Sequence, residues 1–325
     1  MRKYNPPKRK SYDSSCFLER TDCPSCFSTK RTLLSANTIY RFGEDFPSAR
    51  FNFDIKIFSN RKLYECNYCG LWYFSLIPDE KTISDLLTGP DFPERWKIED
   101  RFAFGQAKII INQYFPEGGS ILDVGGHMGG FISLFGNKWK KTLLEPMANS
   151  LEQPESTTII NEFIEEAKLP LLTYDCVTAF DVFEHLNQPS RAVKNIFDSI
   201  KLGGILILET GTSDSFFAKF YRSGWYYLNY LEHFQAFSKK SITNLLEMNG
   251  FKIEYCEIKR HDPFVLKYFI IEFFENIVYS ILIIGRKPGL WLFLSKLLLN
   301  GHNATPPRSI TLAPDHMFVV AKKIS

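Results

Sequence analysis

The sequence predicts an α/β protein: a mostly parallel sheet with helices on both faces, preceded by a small Cys-bearing β module. Three observations carry this. Apolar runs at residues 120–124, 142–144, 157–160, 177–180 and 205–209 read as strands, and helical patterns separate most of them, the alternation of a parallel sheet. A Gly-rich turn, Gly125-Gly-His-Met-Gly-Gly130, directly follows the first run. Two Cys-x-x-Cys pairs stand ahead of all five. With 325 residues, 45% hydrophobic and 23% charged, the chain can bury one large core and one small one.

Residues 1–20, rich in Lys, Arg, Pro and Ser, read as a loose basic tail without the apolar core of a secretory signal. Residues 1–65 hold 13 Lys/Arg against 7 Asp/Glu, while the whole chain is only +3. This is the pattern of a solvated basic face and argues against a protein that works mainly by coating nucleic acid. No uncharged apolar run reaches the ~18 residues of a spanning helix. Unpaired thiols in a chain of this kind imply a reducing compartment, so a cytoplasmic location is expected.

Residues 21–75 form the expected small β module. Cys23-Pro-Ser-Cys26 and Cys66-Asn-Tyr-Cys69 are 39 residues apart. Two tight turns, each offering two thiolates, make a closed tetrahedral site suited to structural Zn2+. Cys16, Cys176 and Cys256 have no partner at ligand spacing. Residues 76–98, with Pro78, Gly89, Pro90 and Pro93, read as a linker carrying one short helix. A large α/β domain fills 99–325. Its segments 251–258 and 316–322 read as strands, with an apolar helical insertion at 264–310 between them.

The glycine turn is the strongest local signal. A strand ends in Asp123, glycines follow, and an apolar helix is expected from about Phe131. Such a turn lets a ligand approach the backbone closely. The next strand ends 22 residues later in Glu145, where a carboxylate can hold both hydroxyls of a ribose. A dinucleotide G-x-G-x-x-G pattern does not fit, because His127 stands where its second Gly would be. Asp123 would sit badly beside a pyrophosphate but tolerates a cationic sulfonium, so S-adenosyl-L-methionine suits the turn better than NAD.

On these residues, and on Asp181-Val-Phe-Glu-His-Leu-Asn-Gln-Pro189 closing the fourth strand, the chain resembles the class I S-adenosylmethionine-dependent methyltransferases. The resemblance runs through residues 99–262 and 315–323. It implies a Rossmann-like sheet whose last strand is antiparallel. It also implies that Asp123, Gly125, Gly126, Gly129, Glu145, Phe163, Ile164 and Phe180 form the cofactor site, with Phe163 and Ile164 flanking the adenine. His127 departs from the family's usual Gly. With its zinc-ribbon-like four-cysteine module, the chain is similar to bacterial members acting on sugars and surface polysaccharides, which implies a small-molecule or glycan acceptor.

Glu184, His185 and the later His233 are the candidate catalytic side chains, for proton removal from the acceptor. Asp181, Glu184, His185 and His233 together are also a candidate divalent-metal set, as in O-methyltransferases acting on RNA or quinols. A purely structural role for Glu184 and His185 is the bland alternative, and a non-catalytic zinc-ribbon protein that binds nucleic acid is a further one. Residues 264–299 combine Leu, Ile, Phe and Trp291 with Arg286, Lys287 and Lys296. They suit helices covering the sheet edge, a dimer interface or peripheral membrane contact. The pattern leaves the oligomeric state open.

Overall fold

The computed structural model describes residues 11–12, 14–36, 52–53, 61–87, 101–146, 154–229, 232–261, 266–284 and 313–324. The N-terminal part contains β1 (Ser11–Tyr12), β2 (Phe17–Glu19), β3 (Arg31–Ser35), β4 (Asn52–Phe53), β5 (Leu63–Cys66), β6 (Trp72–Phe74), β7 (Leu76–Pro78) and α1 (Glu80–Leu87). Then follow α2 (Phe102–Tyr114), β8 (Gly119–Val124), β9 (Trp139–Leu144), β10 (Thr157–Ile160), β11 (Tyr174–Phe180), α3 (Pro189–Ser199) and β12 (Ile200–Gly211). The chain continues through α4 (Phe216–Tyr221), β13 (Gln235–Ala236), α5 (Lys239–Met248), β14 (Phe251–Lys259), α6 (Leu266–Ile284) and β15 (His316–Lys323).

Seven strands form one sheet in the order β10-β9-β8-β11-β12-β15-β14. The pairs from β10 to β12 are parallel, and β15 runs antiparallel to both neighbours. Alternation along the strands builds two cores. Leu122, Val124, Val177, Ala179, Leu206 and Leu208 face α3 and α5, while Ile121, Cys176, Phe180, Ile205 and Ile207 face α2. The chain leaves β8 toward β9 on one side and enters β11 on the other. A crevice therefore opens beyond the carboxyl ends of β8 and β11, where ligands bind in such sheets.

Several details differ from the sequence-based expectations. After the glycine turn there is no α-helix, only a single 3-10 turn, Ile132–Leu134. Gly136 and Asn137 leave five residues for a helix, too few to repay nucleation. Phe131 and Phe135 turn inward instead, with ring centroids 4.8 Å (Phe131–Phe180) and 5.1 Å (Phe135–Trp139) apart. The basic tail is shorter than 1–20: Phe17 and Arg20 are buried, and β2 pairs with β7, which lies in the expected linker. Residues 1–10 of the tail, 88–98 of the linker and 285–310 of the insertion, including Arg286, Lys287, Trp291 and Lys296, lie outside the described residues.

The Cys module is joined to the large domain. β3, β5 and β6 form a sheet completed by β13, which pairs with β6 and belongs to the domain that follows. Cys23, Cys66, Cys69, Leu71 and Tyr73 share one buried cluster with Leu122 and Val177 of the central strands. Ser190 at the start of α3 donates a hydrogen bond to the Ser25 carbonyl, between the first two cysteines.

Candidate active site

The glycine turn has the shape its sequence suggests. Gly125 has φ +66°, and a Cβ there would lie 2.6 Å from Val182. A Cβ at Gly126 would fall 2.2 Å from the Asp123 carboxylate, so both positions exclude side chains. His127 adopts φ 51°, the left-handed conformation that explains the Gly usual at this place in the family it resembles. Its backbone N–H donates to Glu145 Oε2 at 3.0 Å, tying the turn to the end of β9. Burial pulls the His127 imidazole down to about 4.

Beside this turn lies a cleft of about 300 Å3. Gly125, His127, Glu145, Phe163, Ile164 and Phe180 line it, and it runs on to Arg101, Asp181 and His185. Asp123, Gly126 and Gly129 do not line it. Asp123 lies under the turn, 1% exposed, with Oδ1 accepting from the Thr178 hydroxyl at 2.7 Å and Oδ2 accepting no hydrogen bond. Burial raises its carboxyl to about 7.

The expected metal quartet divides in two. Glu184, His185 and His233 stay together, but Asp181 groups with His261 and His316 instead. A 3-10 turn, Phe183–His185, replaces the helix whose i, i+3 and i+4 positions would have aligned Asp181 with Glu184 and His185. Asp181 itself, at φ 53°, ends the strand turned toward β12 and β15.

In the first group His185 Nδ1–H donates to the Glu232 carbonyl at 2.9 Å, and His233 Nδ1–H to the Tyr227 carbonyl at 2.6 Å. Carbonyls only accept, so the Nε2 atom of each neutral ring carries the lone pair. The rings lie 4.7 Å apart, and Glu184 Oε1 is 3.9 Å from His185 Nε2. Burial raises the Glu184 carboxyl and drives the His233 imidazole well below its ordinary range. The Thr210 hydroxyl donates to Glu184 Oε2 at 2.9 Å.

In the second group only Asp181 had a role from the sequence, and His261 and His316 had none. Arg101 pairs with Asp181 Oδ2, and Asp315 Oδ1 accepts from His316 Nδ1–H at 2.8 Å. Burial pushes the Asp181 carboxyl up, but His261, Arg101 and His316 outweigh it and hold it below its usual range. Burial disfavours charge on His316 too, yet Asp315 raises its imidazole to about 9. The available signal was the dipeptide Asp315-His316 at the head of the last strand.

At the other end, the four Cys Sγ atoms converge. Cys23 and Cys69 Sγ are 3.6 Å apart, and Cys26 and Cys66 Sγ 3.5 Å. Tetrahedral bonds of ~2.3 Å to one ion place sulfurs about 3.8 Å apart, so the set has the size of a zinc site. Arg20 of this module is buried. It donates to the Asn187 carbonyl at 2.8 Å and to Gln235 Oε1 at 3.2 Å, and Gln235 Nε2 donates to the Phe183 and Leu186 carbonyls, both at 2.9 Å. The module thus grips the loop that carries His185.

Residues 100–255 match the family model described as a methyltransferase domain. No curated protein matches the chain in sequence. Among solved structures, a possible histamine N-methyltransferase from Thermotoga maritima is 16% identical, with a TM-score of 0.48 over 75% of this chain and 100% of that one. The 1,6-didemethyltoxoflavin N1-methyltransferase of Burkholderia thailandensis, solved with S-adenosylhomocysteine, is 12% identical, with a TM-score of 0.47 over 82% and 97%. Phosphoethanolamine N-methyltransferase 2 of Haemonchus contortus, solved with S-adenosyl-L-methionine, is 17% identical, with a TM-score of 0.46 over 78% and 63%.

Proposed function

We propose that this chain, whose residues 100–255 match a methyltransferase domain, is an S-adenosylmethionine-dependent methyltransferase and that it methylates a sugar or glycan acceptor at oxygen or carbon. The observation that carries the reading is one continuous cleft. Its glycine-turn end has the features a nucleoside cofactor needs, and its other end meets His185 and Asp181.

The residues present suit S-adenosyl-L-methionine. Gly125 keeps the turn open, Glu145 would hold the ribose hydroxyls, and Phe163, Ile164 and Phe180 give apolar walls for the adenine and the sulfur side. Asp123, with an oxygen that accepts no hydrogen bond under the turn, favours a cationic ligand above it. When bound, the cofactor supplies an electrophilic methyl group.

The chain's own work is positioning and proton removal. His185 would take the acceptor proton on Nε2, because its Nδ1–H is held by the Glu232 carbonyl. The acceptor electron pair freed by that transfer forms the new bond to the methyl carbon, as the carbon–sulfur bond breaks. Glu184 would steady the imidazolium formed, and His233 keeps the ring in place. The sugar acceptor rests on the resemblance of the four-cysteine arrangement to that subgroup. Peripheral membrane contact through 264–299 remains part of the proposal. No helix among the described residues is long and apolar enough to cross a membrane, and α6 exposes Phe274 and Ile281.

The test offers labelled S-adenosyl-L-methionine with nucleotide sugars, quinols and RNA. Transfer to a sugar supports the reading, and transfer to RNA or a quinol alone overturns it. Zinc at Cys23, Cys26, Cys66 and Cys69 is checked by elemental analysis: one ion per chain is expected, and Cys66→Ser should lose it.

A further inference from the structure

We infer that Asp181, His261 and His316 form a site for a divalent transition-metal ion at the acceptor end of the cleft. One ligand atom from each lies within 4.8 Å of the other two. They come from three strand ends on one edge: after β11, after β14, and at the start of β15. Register brings them together, since His316 sits opposite both Gly211 of β12 and Lys259 of β14.

His316 and Asp181 are each braced on the far side and bare on the near side. His316 gives its Nδ1–H to Asp315, whose Oδ2 accepts from the Tyr226 hydroxyl at 2.8 Å. That leaves Nε2 facing Asp181 Oδ1 at 3.8 Å. A carboxylate that orients a histidine in this way is the usual support of a metal ligand. Asp181 gives Oδ2 to Arg101, while Oδ1 is buried and accepts no hydrogen bond. The His261 ring lies 4.3 Å from that of His316, and its buried Nδ1 makes no hydrogen bond.

Glu209, 1% exposed, supplies the independent sign. Its Oε1 is ion-paired with Lys259 Nζ at 3.3 Å, while Oε2 accepts no hydrogen bond and lies 3.9 Å from His261 Nδ1. Unfilled buried carboxylate and imidazole positions are costly. Here several of them converge on one point. A cation there would satisfy Asp181 Oδ1, His261 and His316 Nε2 together, with Glu209 beside it.

Two imidazoles and a carboxylate suit Mn2+, Fe2+, Co2+ or Zn2+. Bonds of ~2.1 Å would bring the ligand atoms to about 3.0–3.4 Å, a closure of under an ångström from the 3.8 Å seen between Asp181 and His316. Three protein ligands leave coordination positions open, and Asp181 and Arg101 line the cleft, so the open side faces the acceptor space. The role that follows, lowering the pKa of an acceptor hydroxyl so that His185 removes its proton more readily, rests on the function proposed above. The binding site itself does not.

The experiment uses full-length protein with its four-cysteine site zinc-loaded and titrates Mn2+, which thiolates take poorly, following free Mn2+ by electron paramagnetic resonance. One Mn2+ per chain is expected. His261→Ala and His316→Gln should each weaken it about tenfold or more, and Asp315→Asn about 10–100-fold. His233→Ala should leave it unchanged. Retained S-adenosyl-L-methionine binding shows that each variant is folded, and His261, the more exposed histidine, covers the case in which His316→Gln is not. Absence of Mn2+ binding in the wild type overturns the proposal. So does binding that survives His261→Ala but is lost in His233→Ala. Mn2+ binding without methyl transfer to any acceptor would leave the site standing and remove the function read for it.

Discussion

Two histidine–carboxylate groups share one edge of the sheet and are built in opposite ways. His185 and His233 are braced by backbone carbonyls and Glu184 by the Thr210 hydroxyl, all of them neutral. Asp181, His261 and His316 are braced by Arg101, Asp315 and, through Glu209, Lys259, which are charged. The consequence appears in the imidazoles. His233 is pushed by burial well below its ordinary range, while Asp315 outweighs burial at His316 and lifts it to about 9. His233 is thus kept neutral, while His316 is set to hold a positive charge. The difference lies in what stands behind the ring, not in the residue types.

The largest expected effect tests the first group. His185→Ala should lower turnover about 10²–10⁴-fold while calorimetry shows unchanged cofactor affinity. An unaltered rate would leave no chemical distinction between the groups.

Asp123 tests whether partners or burial alone set such shifts. Its carboxyl is buried with only the Thr178 hydroxyl on it and is raised from 3.8 to about 7. A raised carboxyl stabilises the fold fully below its unfolded pKa, and that contribution is lost as pH climbs through the folded one. The cofactor-free wild type should therefore lose up to about 4 kcal/mol relative to Asp123→Asn between pH 4 and pH 7. Denaturant titrations at several pH values read the slope, and parallel curves for the two proteins would contradict the assignment.

Glu145 lies at the far end of the cleft from both groups. Glu145→Ala should weaken S-adenosyl-L-methionine binding by about 1.5–3 kcal/mol, without altering Mn2+ binding. A smaller effect is expected from Arg20→Met, which frees the Asn187 carbonyl and Gln235. It should cost about 1–2 kcal/mol of stability and lower turnover while leaving Mn2+ affinity intact, because Arg20 holds the loop of His185 and touches nothing in the second group. Equal losses in both readouts would mean that the groups are one unit.

Much of this edge was legible in the sequence. The central strands announced themselves as apolar runs, and Asp123, the glycines and Glu145 by spacing along adjacent elements. Glu184 and His185 are neighbours in sequence and stayed together in space. Asp181 did not stay with them, because a 3-10 turn has a different rotation per residue from the helix assumed. His261 and His316 stand 55 residues apart in sequence and meet only through antiparallel register, which no local pattern encodes. Arg20 was read as tail because charge suggests solvent. Its burial depends on Asn187 and Gln235, far away in sequence.

The short strand β13 sets an order of assembly. The Cys unit's strand β6 finds its second neighbour in residues about 160 positions further along the chain. As the chain leaves the ribosome, β3, β5 and β6 can pair and gather their cysteines early. The outer edge of Trp72–Phe74 must then wait, open to mispairing, until Gln235 and Ala236 have been made. A metal ion clamped by the four thiolates would hold the early unit in shape over that interval. The Cys unit is thus made well before the strand that completes it, and a fragment cut between the two would carry a permanently open edge.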